Sequence, residues 1–122
     1  MTLKYKEITE DIIGSAFEGY NILGHGFLEK VYQKALQVEL LKRKHMVEIE
    51  RDIKVTYKST VVGEYAADLL VNGKVIVELK VASEYNSKDD AQIINLLKAS
   101  EIQVGLLINF GREKVEIKRF IF

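Results

Sequence analysis

Residues 68–80 read DLLVNGKVIVELK. Two apolar runs meet at Asn72-Gly73, the strongest short-range signal for a β-hairpin, because both residues tolerate the left-handed backbone that a tight turn needs. Inside the hairpin sit Asp68, Glu78 and Lys80. A sheet core excludes charged side chains unless they are paired or bind an ion, so the direction of these three decides whether the hairpin carries a site. A two-residue turn pairs Val71 with Lys74 and puts Asp68 on the opposite face from Glu78 and Lys80. A three-residue loop, with Gly73 left-handed as a bulge, shifts the parity and gathers all three on one face. That register also leaves Leu69, Val71, Val75, Val77, Leu79 and Val81 as one unbroken apolar face. One residue of slip moves every side chain across the sheet, so the segregated register is expected. The three charged groups then converge, with Cβ atoms roughly 5–8 Å apart.

The flanking sequence supplies the rest of an α/β domain. Ile12, Ile13, Ala16, Phe17, Tyr20 and Leu23 recur at helical spacing over Thr9–Leu23. After Gly24, His25 and Gly26, a second helix follows, with Leu28, Val31, Tyr32, Ala35, Leu36 and Leu40 on one face. The period then switches to two at Ile53, Val55 and Tyr57, a half-exposed strand, and a loop over Ser59–Gly63 is expected before the hairpin. Ser87 is the expected cap of a third helix with Asp89 and Asp90 in its first turn and Ile93, Ile94 and Leu97 inside. Val104–Phe110 and Val115–Phe122 read as two more strands. The predicted order is ααβββαββ, in one domain over residues 1–122, with no proline and no internal repeat.

Composition narrows the chemistry. Hydrophobic residues make up 48% and charged residues 30% of the chain, the profile of a soluble globular protein, and no apolar run reaches membrane-spanning length. The opening segment MTLKYKEITED lacks the apolar core of a signal peptide, so a cytoplasmic protein with no membrane contact is expected. Cysteine is absent and only His25 and His45 supply imidazole, which removes thiol catalysis and argues against zinc. Eighteen basic residues balance eighteen acidic ones, so no global field attracts polyanions, although a local basic groove remains open.

Two adjacent carboxylates repel, and one takes up a proton unless a cation compensates. Magnesium or manganese does so through oxygen ligands while keeping water in its other positions. A neighbouring lysine can orient a water or offset charge on a phosphate oxygen. Asp68, Glu78 and Lys80 with a divalent metal therefore form a working set for phosphodiester hydrolysis.

Asp68 followed by Glu78-Leu79-Lys80 on a hairpin between helices resembles the active-site signature of the PD-(D/E)XK nuclease superfamily. The segment Gly26-Phe27-Leu28-Glu29-Lys30-Val31-Tyr32 resembles the pattern that names the GxxExxY family, a small prokaryotic branch of it. ALQVEL, AQIINLL and GLLINFG add further matches in the same order, from about Ile8 to the C-terminus. The resemblance implies a restriction-endonuclease-like fold, a mixed central β-sheet flanked by helices. It implies a Mg2+- or Mn2+-dependent nuclease acting on nucleic acid, DNA ahead of RNA. In it Asp68, Glu78 and Glu29 are metal ligands, and Lys80 is the catalytic base partner or phosphate neutraliser. Gln92 matches a glutamine that RecB-like nucleases place near the site, but the tyrosine that usually follows four positions later is Leu96 here.

Residue chemistry gives the GxxExxY segment its own reading. Gly26 lets the chain turn sharply and approach the sheet, and Glu29 and Tyr32, one helical turn apart, are neighbours, so that the tyrosine hydroxyl could hold the carboxylate. Tyr32 also lies on the apolar stripe, where a core role is the simpler one. The alternatives to a nuclease are a binding or protein-interaction module that keeps the fold without cutting, and a small-molecule phosphoesterase with a closed pocket. A chain this small has little surface for gripping a duplex, so a homodimer or a partner protein is also expected.

Overall fold

The computed structural model describes residues 3–122. Helices α1 (Lys6–Leu23) and α2 (Glu29–Lys42) precede strands β1 (Val47–Tyr57), β2 (Thr60–Val71) and β3 (Val75–Lys80). Helix α3 (Ser87–Ser100) then leads to β4 (Val104–Asn109) and β5 (Glu116–Ile121). The five strands form one mixed sheet in the order β1-β2-β3-β4-β5. Neighbours run antiparallel except β3 and β4, which are parallel and need a long crossover between them, the role that α3 fills. The ααβββαββ order read from periodicity is the observed one. No helix among the described residues is long and apolar enough to cross a membrane.

The central hairpin has the three-residue register. Val71 pairs with Val75, Leu70 with Ile76 and Leu69 with Val77, leaving Asn72, Gly73 and Lys74 as the loop. Asn72 (φ 55°) joins Gly73 (φ 65°) in the left-handed region, and Lys74 N–H donates to the Val71 carbonyl at 3.0 Å. The turn thus has both residues left-handed, rather than Gly73 alone. Asn72 is chosen by its contacts as well as its backbone. Its side-chain oxygen accepts from Met46 N–H at 2.8 Å, its own N–H donates to the Met46 carbonyl at 2.8 Å, and its amide donates to His45 Nδ1 at 2.8 Å. The His45 Nε2 proton therefore faces Asp11 Oδ2, 2.7 Å away, so this histidine ties α1 to the turn.

Helical periodicity now has a visible partner. Ile12 and Ala16 of α1 and Tyr32, Leu36 and Leu40 of α2 pack on Leu69, Val71, Val75, Val77 and Leu79. The opposite face is apolar as well: Leu70 and Ile76 pack with Leu96 and Leu97 of α3. Charge and apolar residues are therefore not segregated between faces as expected, because α3 covers part of the second face. Val81, expected on the apolar face, lies beyond the end of β3 and is exposed.

Three boundaries also differ. The expected Ser59–Gly63 loop is a tight turn at Lys58 (φ 49°) and Ser59 (φ 66°) followed directly by β2, with a register shift between Val55 and Thr56. Lys-Ser lacks the Asn-Gly signature, so the sequence marks a connection here without showing how tight it is. Helix α1 begins at Lys6 rather than Thr9. The cap of α3 is Asn86, whose side chain accepts from Lys88 N–H at 2.9 Å, and Ser87 is the first helical residue.

The end of β3 is fastened to the end of β4. Phe110 N–H donates to the Lys80 carbonyl at 2.8 Å, and the Asn109 side chain accepts from Ala82 N–H at 3.0 Å while donating to Ala82 O at 2.8 Å. Gly111 permits this approach: a Cβ there would overlap the backbone of Val81 and Ala82, lying 2.6 Å from the Ala82 carbonyl oxygen. Gly111→Ala is expected to destabilise the fold by about 1–3 kcal/mol, the usual cost of overpacking, in urea unfolding. An unchanged midpoint would show that the clamp is not needed.

Candidate active site

Strand pairing brings Asp68 and Glu78 together. The regular β2–β3 ladder ends at Leu69 and Val77, and there the Asp68 carboxylate takes over from the backbone, accepting from Leu79 N–H at 2.8 Å. The Asp68 carbonyl accepts from the Gln33 side chain at 2.9 Å, and the same amide donates to Glu50 Oε1 at 3.0 Å. Glu50 itself is left-handed (φ 51°), between Ile49 and Arg51, which pair with Leu69 and Ala67. A buried glutamine from α2 thus holds a strand irregularity at the aspartate.

Glu78 is 4% exposed, and among the described residues its buried Oε1 has no hydrogen-bond partner. Burial, then the charge of Asp68 and hydrogen bonding with it, pushes its pKa up to about 9, against a smaller opposing pull from Lys80. Lys80 follows two residues on, its ammonium 3.6 Å from Asp89 Oδ1 in the first turn of α3. Glu29 opens α2, half-buried. Its pKa is raised, first by burial and then by the charges of Asp68 and Asp89, while Lys80 opposes. Asp68, Glu78, Lys80 and Glu29 therefore lie within electrostatic reach of one another, and Asp89 joins them. Sequence reading gave Asp89 only a helix-dipole role, because nothing in a single chain reveals that α3 starts beside the end of β3.

Other expected members stand elsewhere. Gln92 is exposed and lines a groove with Tyr65 and Asn95; among the described residues no hydrogen bond joins it to the carboxylates. Leu96 is buried in the α3 core, where a tyrosine hydroxyl would need a partner. Gly26 does have a positive φ (106°), but nothing lies within 4 Å of the Cβ position there, so the glycine serves the turn and not a close approach to the sheet. His25 is an exposed loop residue.

Tyr32 is the structural member of its motif. Only 1% exposed, its ring stacks on Phe110 with centroids 4.4 Å apart and planes 3° from parallel. Its hydroxyl donates to the Gly24 carbonyl at 2.6 Å and accepts from Phe27 N–H at 3.3 Å. The hydroxyl therefore fixes the loop that delivers Glu29, and does not bond to Glu29 itself as expected.

A divalent cation suits part of this arrangement. The unpartnered Glu78 oxygen beside Asp68 is a hard-oxygen site whose charge repulsion a cation would relieve. Among the described residues, however, no three Asp, Glu, His or Cys side chains are gathered closely enough to form a cage. The expected Asp68–Glu78–Glu29 set is accordingly not preassembled among the described residues.

The family model of the PD-(D/E)XK nuclease superfamily matches residues 6–120. The chain belongs to that superfamily, and its mixed five-stranded sheet with flanking helices is the restriction-endonuclease-like fold. Neither the curated proteins nor the solved structures give a significant match.

Two outcomes follow from burial. Glu78 titrates near 4.5 when unfolded and about 9 when folded, so between those values the folded chain holds a proton that the unfolded chain has released. Its contribution to stability is therefore full below about pH 4.5 and is lost as pH rises towards about 9. In metal-free urea unfolding, Glu78→Gln is expected to gain stability relative to the wild type across that window; a constant difference would mean that Glu78 is ionised in the fold. Tyr32→Ala is expected to cost about 2–4 kcal/mol as a buried aromatic deletion, and Tyr32→Phe about 1–2 kcal/mol for the lost hydrogen bonds. Thermal melts of both variants check this, and an undiminished Tm in Tyr32→Ala would remove the loop-fixing role.

Proposed function

We propose that this chain is a nuclease of the GxxExxY branch, a single nuclease-like domain that hydrolyses phosphodiester bonds in nucleic acid, DNA ahead of RNA, with a divalent cation. One observation carries the reading: the three-residue loop sets Asp68 beside a buried Glu78 with an unpartnered oxygen, and Lys80 follows on the same strand. Such a pair is unstable as two free carboxylates. Asp68 and Glu78 would hold Mg2+ or Mn2+, with Glu29 reaching it directly or through water. When bound, the ion supplies Lewis-acid polarisation and a water of lowered pKa.

The remaining work falls to the protein's own groups. Lys80 leaves Asp89 to meet the negative charge that builds on the phosphate oxygens, and Asp89 keeps its ammonium aimed at the site beforehand. Gln33 and the Leu79 N–H hold Asp68 in one orientation. Phe110 and Asn109 hold the strand end that presents Lys80. The rival reading, a binding module that retains the fold without cutting, is favoured by Leu96 where the usual tyrosine would stand and by the balance of eighteen basic and eighteen acidic residues.

The test compares wild type, Asp68→Asn and Lys80→Ala on supercoiled, linear and single-stranded substrates with magnesium or manganese. Metal should raise the wild-type Tm by mass action, and Asp68→Asn should lose most of that rise. Lys80→Ala should lose cleavage by about 100-fold or more while retaining the metal-induced rise and most of the nucleic-acid affinity. No cleavage by the wild type on any substrate, with binding equal in both variants, would leave the binding-module reading.

A further inference from the structure

Beyond the carboxylates, the β1–β2 hairpin overhangs the sheet. β2 pairs with β3 only over Leu69–Val71, yet it continues back to Thr60 paired with β1, and the hairpin so formed runs beside α3. Between them lies a groove of about 410 Å³ lined by Val55 and Tyr65 of the hairpin and by Lys88, Gln92, Asn95 and Leu96 of α3. Lys88, Gln92 and Asn95 are spaced at i, i+4 and i+7, which puts them on one helix face. Among the described residues no hydrogen bond or ion pair engages the Lys88 ammonium or the two amides, although Lys88 N–H is used by the helix cap. Tyr65 is 53% exposed, a large ring left at the surface across from the amides.

Each wall of the groove is near in sequence to a member of the candidate active site. Tyr65 is three residues before Asp68 on the same strand, about 10 Å at the usual rise. Lys88 precedes Asp89, the partner of Lys80. A ring for stacking, two carboxamides able to bond a base edge and a cation for a phosphate are the elements with which proteins bind unpaired bases. A duplex keeps its Watson–Crick edges occupied and is far too wide for this volume, so the groove selects an extruded or single-stranded base.

We infer that the cleft between the β1–β2 hairpin and α3 is a subsite for one unpaired nucleobase of the substrate strand, stacked on Tyr65 and read by Gln92 and Asn95. The inference rests on the nuclease reading for its placement beside the scissile position, but its test does not. Single-strand binding is measured by fluorescence anisotropy in EDTA, with labelled homopolymeric deoxy- and ribo-oligonucleotides and a duplex of the same length. The wild type should prefer single strands and rank them by base. Tyr65→Leu should weaken single-strand binding about tenfold, within the range for a lost base stack, whereas Tyr65→Phe should retain it. Gln92→Ala with Asn95→Ala should flatten the ranking by base. Unaltered binding in Tyr65→Leu, or a base ranking that survives loss of both amides, would overturn the subsite. Base-ranked binding without cleavage when magnesium is added keeps the subsite and removes the nuclease reading; cleavage with unaltered Tyr65→Leu binding does the reverse.

Discussion

The pairing of Val71 with Val75 fixes where Asp68 stands relative to Glu78 and Lys80. With three residues in the loop, Asp68 and Glu78 fall next to each other at the end of the ladder; with two they would be on opposite faces. The register is held from outside the hairpin as well as within it. Asn72 bonds both backbone groups of Met46 and the ring of His45. Apolar residues on both faces of β3 pack with their helices in this alignment.

The sheet then creates a conflict that is resolved locally. Glu78 is too buried to be readily charged, and Asp68 is committed to Leu79 N–H while its carbonyl is held by Gln33. A polar pair of this kind weakens the core in the absence of a counter-charge, and destabilised groups in a fixed geometry are what functional sites tend to contain. Around them the structural members of the same motifs do ordinary packing: Tyr32 stacks on Phe110 and pins the loop before Glu29. Motif letters thus mix two physical roles, and only contacts separate them.

The hairpin signal and hydrophobic alternation, local period-two properties of the chain, place Asp68, Glu78 and Lys80 on one side of the hairpin, whereas Glu29, on a helix, enters only through the family resemblance. Sequence reading failed at Gln92, which faces a groove beside Tyr65, and at Gln33 and Asp89, which meet the site from separate helices. Helical periodicity tells which face is apolar and says nothing of what a polar residue at a helix end will approach. The connection expected over Ser59–Gly63 is instead the tight Lys58-Ser59 turn, whose left-handed pair carries neither Asn nor Gly to mark its length.

The sequence by itself determined the order of elements, the hairpin register and most of the apolar face of each helix, Phe17 and Leu28 being exposed instead, since these follow from apolar spacing and turn chemistry within short windows. Tertiary structure alone decided how deeply Glu78 is buried, which partner Lys80 meets and how far the hairpin overhangs α3. Each of these depends on packing between segments distant in the chain. Burial sets desolvation, and desolvation outweighs the neighbouring charges in raising the Glu78 pKa. No local pattern encodes that.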